Sequence, residues 1–176
     1  MGAAVLIDEI IIRPAEFAEA GALQALIQRA YRGESATTSW SHEGDVAAGE
    51  RVSRADLERL IRASNCRLSV AAAGDRIVGS SLVTSDNAGQ CEIGLLSVDP
   101  DIQGAGIGDR LLRDAEGKSA TQFAAAQASL EVLRHKAKLI AYYERRGYTK
   151  TDLTRPYPYP VPTPTEFLIL RKDLPR

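Results

Sequence analysis

The chain is short of the residues that build metal and disulfide sites. Its 176 residues include two cysteines, Cys66 and Cys91, and two histidines, His42 and His135. Both cysteines open strand-like runs and are not spaced as a metal pair, so two free thiols in a reducing compartment are expected. A zinc site would need an unusual ligand set. His135 reads as a solvated residue at a strand end. Excess charge is lacking too: 22 Lys plus Arg stand against 23 Asp plus Glu, a net charge of −1. That balance argues against a nucleic-acid partner or a membrane surface. Long apolar runs are missing as well. The opening GAAVLI stops at Asp8-Glu9, too short for a signal-peptide core or a membrane span, and MGAAVL has Leu6 where a myristoylation signal wants Ser or Thr. The expectation is a soluble, cytoplasmic protein of one domain over residues 1–176, a monomer or homodimer without metal, nucleic-acid or membrane partners.

What is present is a regular alternation of short elements. Asp8 to Arg13 reads as a strand ending at Pro14. Leu23, Leu26, Ile27, Ala30 and Tyr31 share one helical face, and Gly33 stops that helix. Glu34 to Gly49 is polar and irregular, with Trp40 alone in it. Ser53 followed by Asp56 resembles a capping box ahead of Leu57, Leu60 and Ile61. Arg67–Ala73 and Arg76–Thr84 are strand-like and meet at Gly74-Asp75, a hairpin signal. The turn SDNAG leads into a strand over Cys91–Val98.

A helix with Ile107, Leu111, Leu112 and Ala115 on one side comes next, followed by a buried-looking strand, SLEVL, at Ser129–Leu133. A helix from about Ala137 to Arg146 ends at Gly147, a residue suited to a left-handed cap. Pro156 to Pro164 has proline at every second position, which predicts an extended segment without ladder donors. Its sequence, PYPYPVPTP, also has the form of a ligand for an aromatic-grooved module, although a strand follows at once (EFLIL, Glu166–Leu170). The order β-α-α-β-β-β-α-β-α-β-β, with no repeats and no linker, describes a single mixed-sheet domain.

The most informative stretch is VDPDIQGAGIGDRLL, Val98 to Leu112, with glycine at 104, 106 and 108. A P-loop is excluded, because Gly108 is followed by Asp109-Arg110 rather than Lys and Ser or Thr. A dinucleotide-binding loop wants G-x-G-x-x-G in the first turn of a doubly wound unit, whereas here the spacing is G-x-G-x-G after three antiparallel-looking strands. A merely tight turn would spend the backbone entropy of three glycines to no evident end. Val98-Asp99-Pro100, then Gln103-Gly104-Ala105-Gly106-Ile107-Gly108, then Leu111-Leu112, resembles the signature of the GNAT superfamily, the acyl-CoA-dependent N-acetyltransferases. A second motif, AYYERRGY at Ala141–Tyr148, is similar to that family's later helix. The resemblance covers about Asp8 to Leu170.

The resemblance implies an α/β (α+β) fold: a mixed, mostly antiparallel sheet of six to seven strands flanked by about four helices. It implies acetyl-CoA as co-substrate, with no metal. Main-chain groups of Gln103, Gly104, Ala105, Gly106, Ile107 and Gly108, at the positive end of a helix, would face the pyrophosphate, and side chains at Gly106 and Gly108 would block that approach. Val98 would pair with the pantetheine arm as an added strand would, Ser97 beside it, while the N–H of Leu96 at a strand bulge would serve the oxyanion. Tyr143 falls at the catalytic tyrosine position and would protonate the departing thiolate; the adjacent Tyr142 better suits packing behind the sheet. Glu92 stands where several members place a general base. Lys136 departs from the family pattern, which has Asn there. The residues suggested for the acceptor are Trp40, Glu43, Tyr157 and Tyr159, in the two irregular segments. The implied function is transfer of an acetyl group to a primary amine by direct attack in a ternary complex. The contrasting expectation is a domain that binds the cofactor without catalysis, as a sensor or scaffold.

Overall fold

The structure is a computed structural model and describes residues 9–33, 49–158, 161 and 163–175. In chain order the elements are β1 (Ile10–Pro14), α1 (Ala20–Arg32), α2 (Arg54–Arg62), β2 (Cys66–Ala73), β3 (Arg76–Ser85), β4 (Gln90–Val98), α3 (Ile107–Phe123), β5 (Gln127–Leu133), α4 (Ala137–Glu144), β6 (Thr149–Pro156) and β7 (Glu166–Asp173). The strands form one seven-stranded sheet in the order β1-β2-β3-β4-β5-β7-β6. Every pairing is antiparallel except β4 with β5. The fold class read from the sequence is the one observed.

Helices cover both faces. On one side α1 buries Leu23, Leu26, Ile27, Ala30 and Tyr31, joined by Leu57 of α2, against Leu68, Val70, Ile77 and Leu82 of the sheet. Ser53 caps α2 as its sequence suggests, its Oγ accepting from the Asp56 N–H at 3.0 Å. On the other side Leu112 and Ala115 of α3 and Ile140 and Tyr143 of α4 pack with Val83, Cys91, Leu130 and Val132. The close seat of α3 depends on Gly79: a Cβ there would lie 2.8 Å from Leu111 Cδ1 and 3.0 Å from the Ser97 carbonyl. Both cysteines are buried free thiols.

The Gly74-Asp75 hairpin is present, with Ala73 opposite Arg76 and Gly74 at φ +57°. Several ends differ from the sequence reading. α4 stops at Glu144; Gly147, at φ +89°, follows and lets the Tyr148 N–H return to the Tyr143 carbonyl at 3.2 Å. β7 continues past Leu170 to Asp173 because its partner β5 starts early, at Gln127, opposite that residue. The proline-rich stretch is not ladder-free from its start: Pro156 is paired opposite Glu166 at the end of edge strand β6, a position that tolerates a missing N–H, and the Tyr157 N–H bonds the Thr165 carbonyl at 3.0 Å. No described helix is long and apolar enough to cross a membrane.

Candidate active site

β4 and β5 run side by side only where Gln90–Glu92 face Gln127–Ser129. Beyond that the two parallel strands separate, and a cleft opens between them. The cause lies in β4. Ser80 of β3 faces Ser97 while Leu82 faces Gly94, so Leu95 and Leu96 together oppose Ser81, a bulge that increases local twist. Leu95 sits at φ +44°, a conformation that costs a branched residue about 1–2 kcal/mol. Two hydrogen bonds hold it there: Ser80 Oγ donates to the Leu95 carbonyl at 2.8 Å, and the Tyr31 hydroxyl donates to the Leu96 carbonyl at 3.1 Å.

Glu92 and Tyr143, from β4 and α4, both line this cleft, together with Leu96 of the bulge. Glu92 is open to the cleft, yet the protein around its carboxylate raises its pKa by desolvation, reinforced by the charge of Glu131 and opposed by Arg155. Tyr143 is buried, its ring held edge-on by Tyr142 (centroids 5.2 Å apart) and Tyr148 (5.8 Å). Burial drives its pKa far up, so the phenol keeps its proton.

At the end of β4 a second structure begins. Asp99 is wholly buried; its Oδ2 accepts from Arg29 at 2.8 Å and Arg76 at 2.7 Å, and its Oδ1 from the Asp101 N–H at 3.2 Å. Burial alone pushes this carboxyl up, but Arg76, the Asp101 N–H and the charge of Arg29 outweigh it and hold the pKa below the usual carboxylate range. Gln103 Nε2 donates back to the Val98 carbonyl at 3.3 Å. Gly104 and Gly106 then take φ +86° and +76°, and Gly106 is the residue from which α3 starts. The N–H groups of Ile107, Gly108 and Asp109 open that helix without intrahelical acceptors.

Side chains divide here between the loop's two faces. Ile107 is buried in the core under the loop and Ala105 packs beside it, so what these residues can offer outward is main chain. Ser97 is likewise turned inward, its Oγ 2.7 Å from Ser80 Oγ. The reason for each glycine also differs from expectation. No protein atom lies within 4 Å of a Cβ built on Gly104 or Gly106; their positive φ is what demands glycine. At Gly108 a Cβ would make ordinary contacts, 3.7 Å from Tyr142 Oη and from Val98 Cγ2. Tyr142 therefore faces this loop, with the Arg146 guanidinium 3.5 Å from its ring centroid, rather than simply packing behind the sheet.

Of the residues suggested for the acceptor, Trp40, Glu43 and Tyr159 lie outside the described residues. Tyr157 is buried against Phe167 and receives a 3.2 Å hydrogen bond from Arg32; it backs the cleft, and Phe167 is the ring on its wall. Tyr31, Arg51, Glu131 and Lys136 also line the cleft. Of these only Lys136 is marked by the family pattern, as a departure from its Asn ahead of the second motif; Glu131 leaves a faint signal, a lone acid inside the apolar run SLEVL. Among the described residues no group of three His, Cys, Asp or Glu could hold a metal ion.

Residues 27–156 match the family model described as acetyltransferase (GNAT) domain. No curated protein matches significantly. Among solved structures, the chain is similar to a ribosomal-protein alanine N-acetyltransferase from Escherichia coli (18% identity, 95% of each chain covered, TM-score 0.73). It is also similar to yncA from Salmonella typhimurium, solved with its cofactor acetyl-CoA (15% identity, 95% of each chain, TM-score 0.73). A third is the paia N-acetyltransferase from Thermoplasma acidophilum in complex with coenzyme A (20% identity, 93% of this chain and 98% of that one, TM-score 0.69). Identities this low speak for the fold alone, but the family model spans most of the chain, and the chain, with its splayed strands and glycine loop, belongs to the GNAT acetyltransferase family.

Proposed function

We propose that this protein transfers the acetyl group of acetyl-CoA directly to a primary amine. The observation that carries the reading is the coincidence of Glu92, Tyr143 and the Leu95–Leu96 bulge in one gap between β4 and β5. Acetyl-CoA suits the residues beside that gap. The open face above Gly104 and Gly106 and the free N–H groups at the start of α3 would hold the pyrophosphate, and the outer edge of β4 at Leu96–Val98 would take the pantetheine arm as an added strand. Acetyl-CoA supplies an activated thioester; the chain's own residues supply the proton traffic.

An amine of pKa near 10.4 is almost wholly protonated at neutral pH. Glu92, with its raised pKa, is closer to a matched base than an ordinary carboxylate. The neutral amine attacks, and as the C–N bond forms and the C–S bond breaks the nitrogen's surplus proton passes to Glu92. Main-chain donors at the bulge face the developing oxyanion. Tyr143 enters protonated and donates to the sulfur, and cleft water relays the proton from Glu92 back to Tyr143.

The test is thiol release from acetyl-CoA over a panel of amines, amino acids and peptides, with calorimetry of acetyl-CoA binding alongside. Turnover with at least one amine, lost in Glu92→Gln at neutral pH and partly recovered as pH approaches the amine's pKa, is expected. Binding without transfer to any amine would support the sensor or scaffold reading instead, and absence of binding would overturn the site.

A further inference from the structure

Glu92 does not face the cleft alone. In the parallel pairing Glu92 stands opposite Ser129, and Glu131, two residues on, projects from the same face of β5, since strand side chains alternate. Both carboxylates line the same cleft. Glu131 is also held in place. Arg155 of β6 reaches across β7, its Nε 2.7 Å from Glu131 Oε1 and its terminal nitrogen on Oε2, with its guanidinium 4.8 Å from the centroid of the Phe167 ring. Fork-to-fork pairing of this kind fixes orientation as well as charge.

A structural ion pair across three strands would serve as well on the opposite face of the sheet; the acid of this one lines the same cleft as the proposed base. We propose that Glu131, oriented by Arg155, is a positioning residue that sets the charge around Glu92 and thereby the pH range over which the cleft accepts an amine. The inference rests on Glu92 acting as the base. Thr84 of β3 is paired opposite Glu92, and the other titratable or charged groups that line the cleft with it are Tyr31 of α1, Arg51 ahead of α2, and Lys136 and Tyr143 at α4. Arg51 and Lys136 are cations, opposite in sign to Glu131; the influences of Glu131 and Arg155 can be separated because their variants should move the profile in opposite directions.

The experiment is the pH profile of kcat/KM for the full chain with its best amine. Glu131→Gln removes a like charge, so the acid limb should move to lower pH, by about half a unit to one unit for a neighbouring charge in a partly solvated site. Arg155→Met leaves Glu131 uncompensated, so the limb should move the other way. Glu131→Asp should restore most of the original profile. Carbon NMR titration of labelled glutamate reads the Glu92 carboxyl directly and needs no turnover, which covers a variant that folds but is inactive. An acid limb that disappears in Glu92→Gln but stays put in Glu131→Gln and Arg155→Met would overturn the inference and leave the base intact. A limb that persists in Glu92→Gln would overturn both.

Discussion

The cleft and the glycine loop beside it are built in opposite ways. The loop running from Val98 into α3 is main chain: positive φ at Gly104 and Gly106, a helix start, and side chains such as Ile107 turned down into the core. The cleft is made largely of side chains, Tyr31, Arg51, Glu92, Glu131, Tyr143 and Phe167 among them, brought together from α1, the turn before α2, β4, β5, α4 and β7. A backbone device needs its residues contiguous, because one loop must make one curve. A side-chain device needs only that several elements end near the same place. The first suits a co-substrate whose recognised part does not change, and the second an acceptor that does.

The contrast can be broken most sharply at Tyr143. Tyr143→Phe removes only a hydroxyl that bonds no described residue, so folding and acetyl-CoA binding should survive while kcat falls about 10²–10⁴-fold, the range of a lost proton donor. Steady-state kinetics beside calorimetry checks it; equal losses in both would make Tyr143 part of the binding side. Next is Gly106→Val. Forcing a branched residue into φ +76° costs at least about 1–2 kcal/mol, so acetyl-CoA affinity should drop roughly tenfold or more with kcat at saturation much less affected. Thermal melting separates the strain from the lost contact.

A smaller effect is expected at the root of the glycine loop. Asp99→Asn removes a buried charge from Arg29 and Arg76, a loss of about 1.5–3 kcal/mol by hydrogen bonds to charged groups. The wild-type pair should also titrate with stability. Because the folded-state pKa of Asp99 is depressed, its contribution is complete above the ordinary carboxylate pKa of about 3.9 and fades as pH falls through the lower folded value. Denaturant melts of both proteins between neutral and strongly acid pH should therefore converge at the acid end. Smallest is Tyr157→Phe, which gives up the hydrogen bond its hydroxyl accepts from Arg32, worth about 0.5–1.5 kcal/mol, and should leave kcat within a few-fold. A large kcat loss there would bring Tyr157 into the cleft's chemistry.

The same contrast explains what could be read in advance. The element order, the hairpin, the Ser53 cap and the glycine loop are local patterns, and they stand where the residues put them. Glu92 and Tyr143 were legible because each keeps a fixed distance along the chain from a motif. Glu131, Tyr31 and Arg51 keep none. Tyr31 reads as one more buried position on an amphipathic helix, and only the bulge opposite shows that its hydroxyl has a carbonyl to meet. Asp99 reads as part of the loop signature, but its partners lie 70 and 23 residues away. Even the glycines mislead in part: their number marks the loop, while coordinates show that φ demands glycine at 104 and 106 and that at 108 a Cβ would make only ordinary contacts.

The junction of β4 with β5 has one more consequence. Three paired residues are the whole ladder between a four-stranded half and a three-stranded half, so the sheet carries a seam along its middle. Those amide hydrogens of Gly94–Val98 that point toward β5 rather than toward β3 should exchange faster than those of the β2–β3 and β5–β7 ladders. A ligand that hydrogen-bonds along the open part of β4 would complete the sheet. It would then act as a stabiliser by mass action, worth about 2.7 kcal/mol at one hundred times its dissociation constant. Under the proposed chemistry, the protein's resistance to unfolding would follow the supply of acetyl-CoA around it.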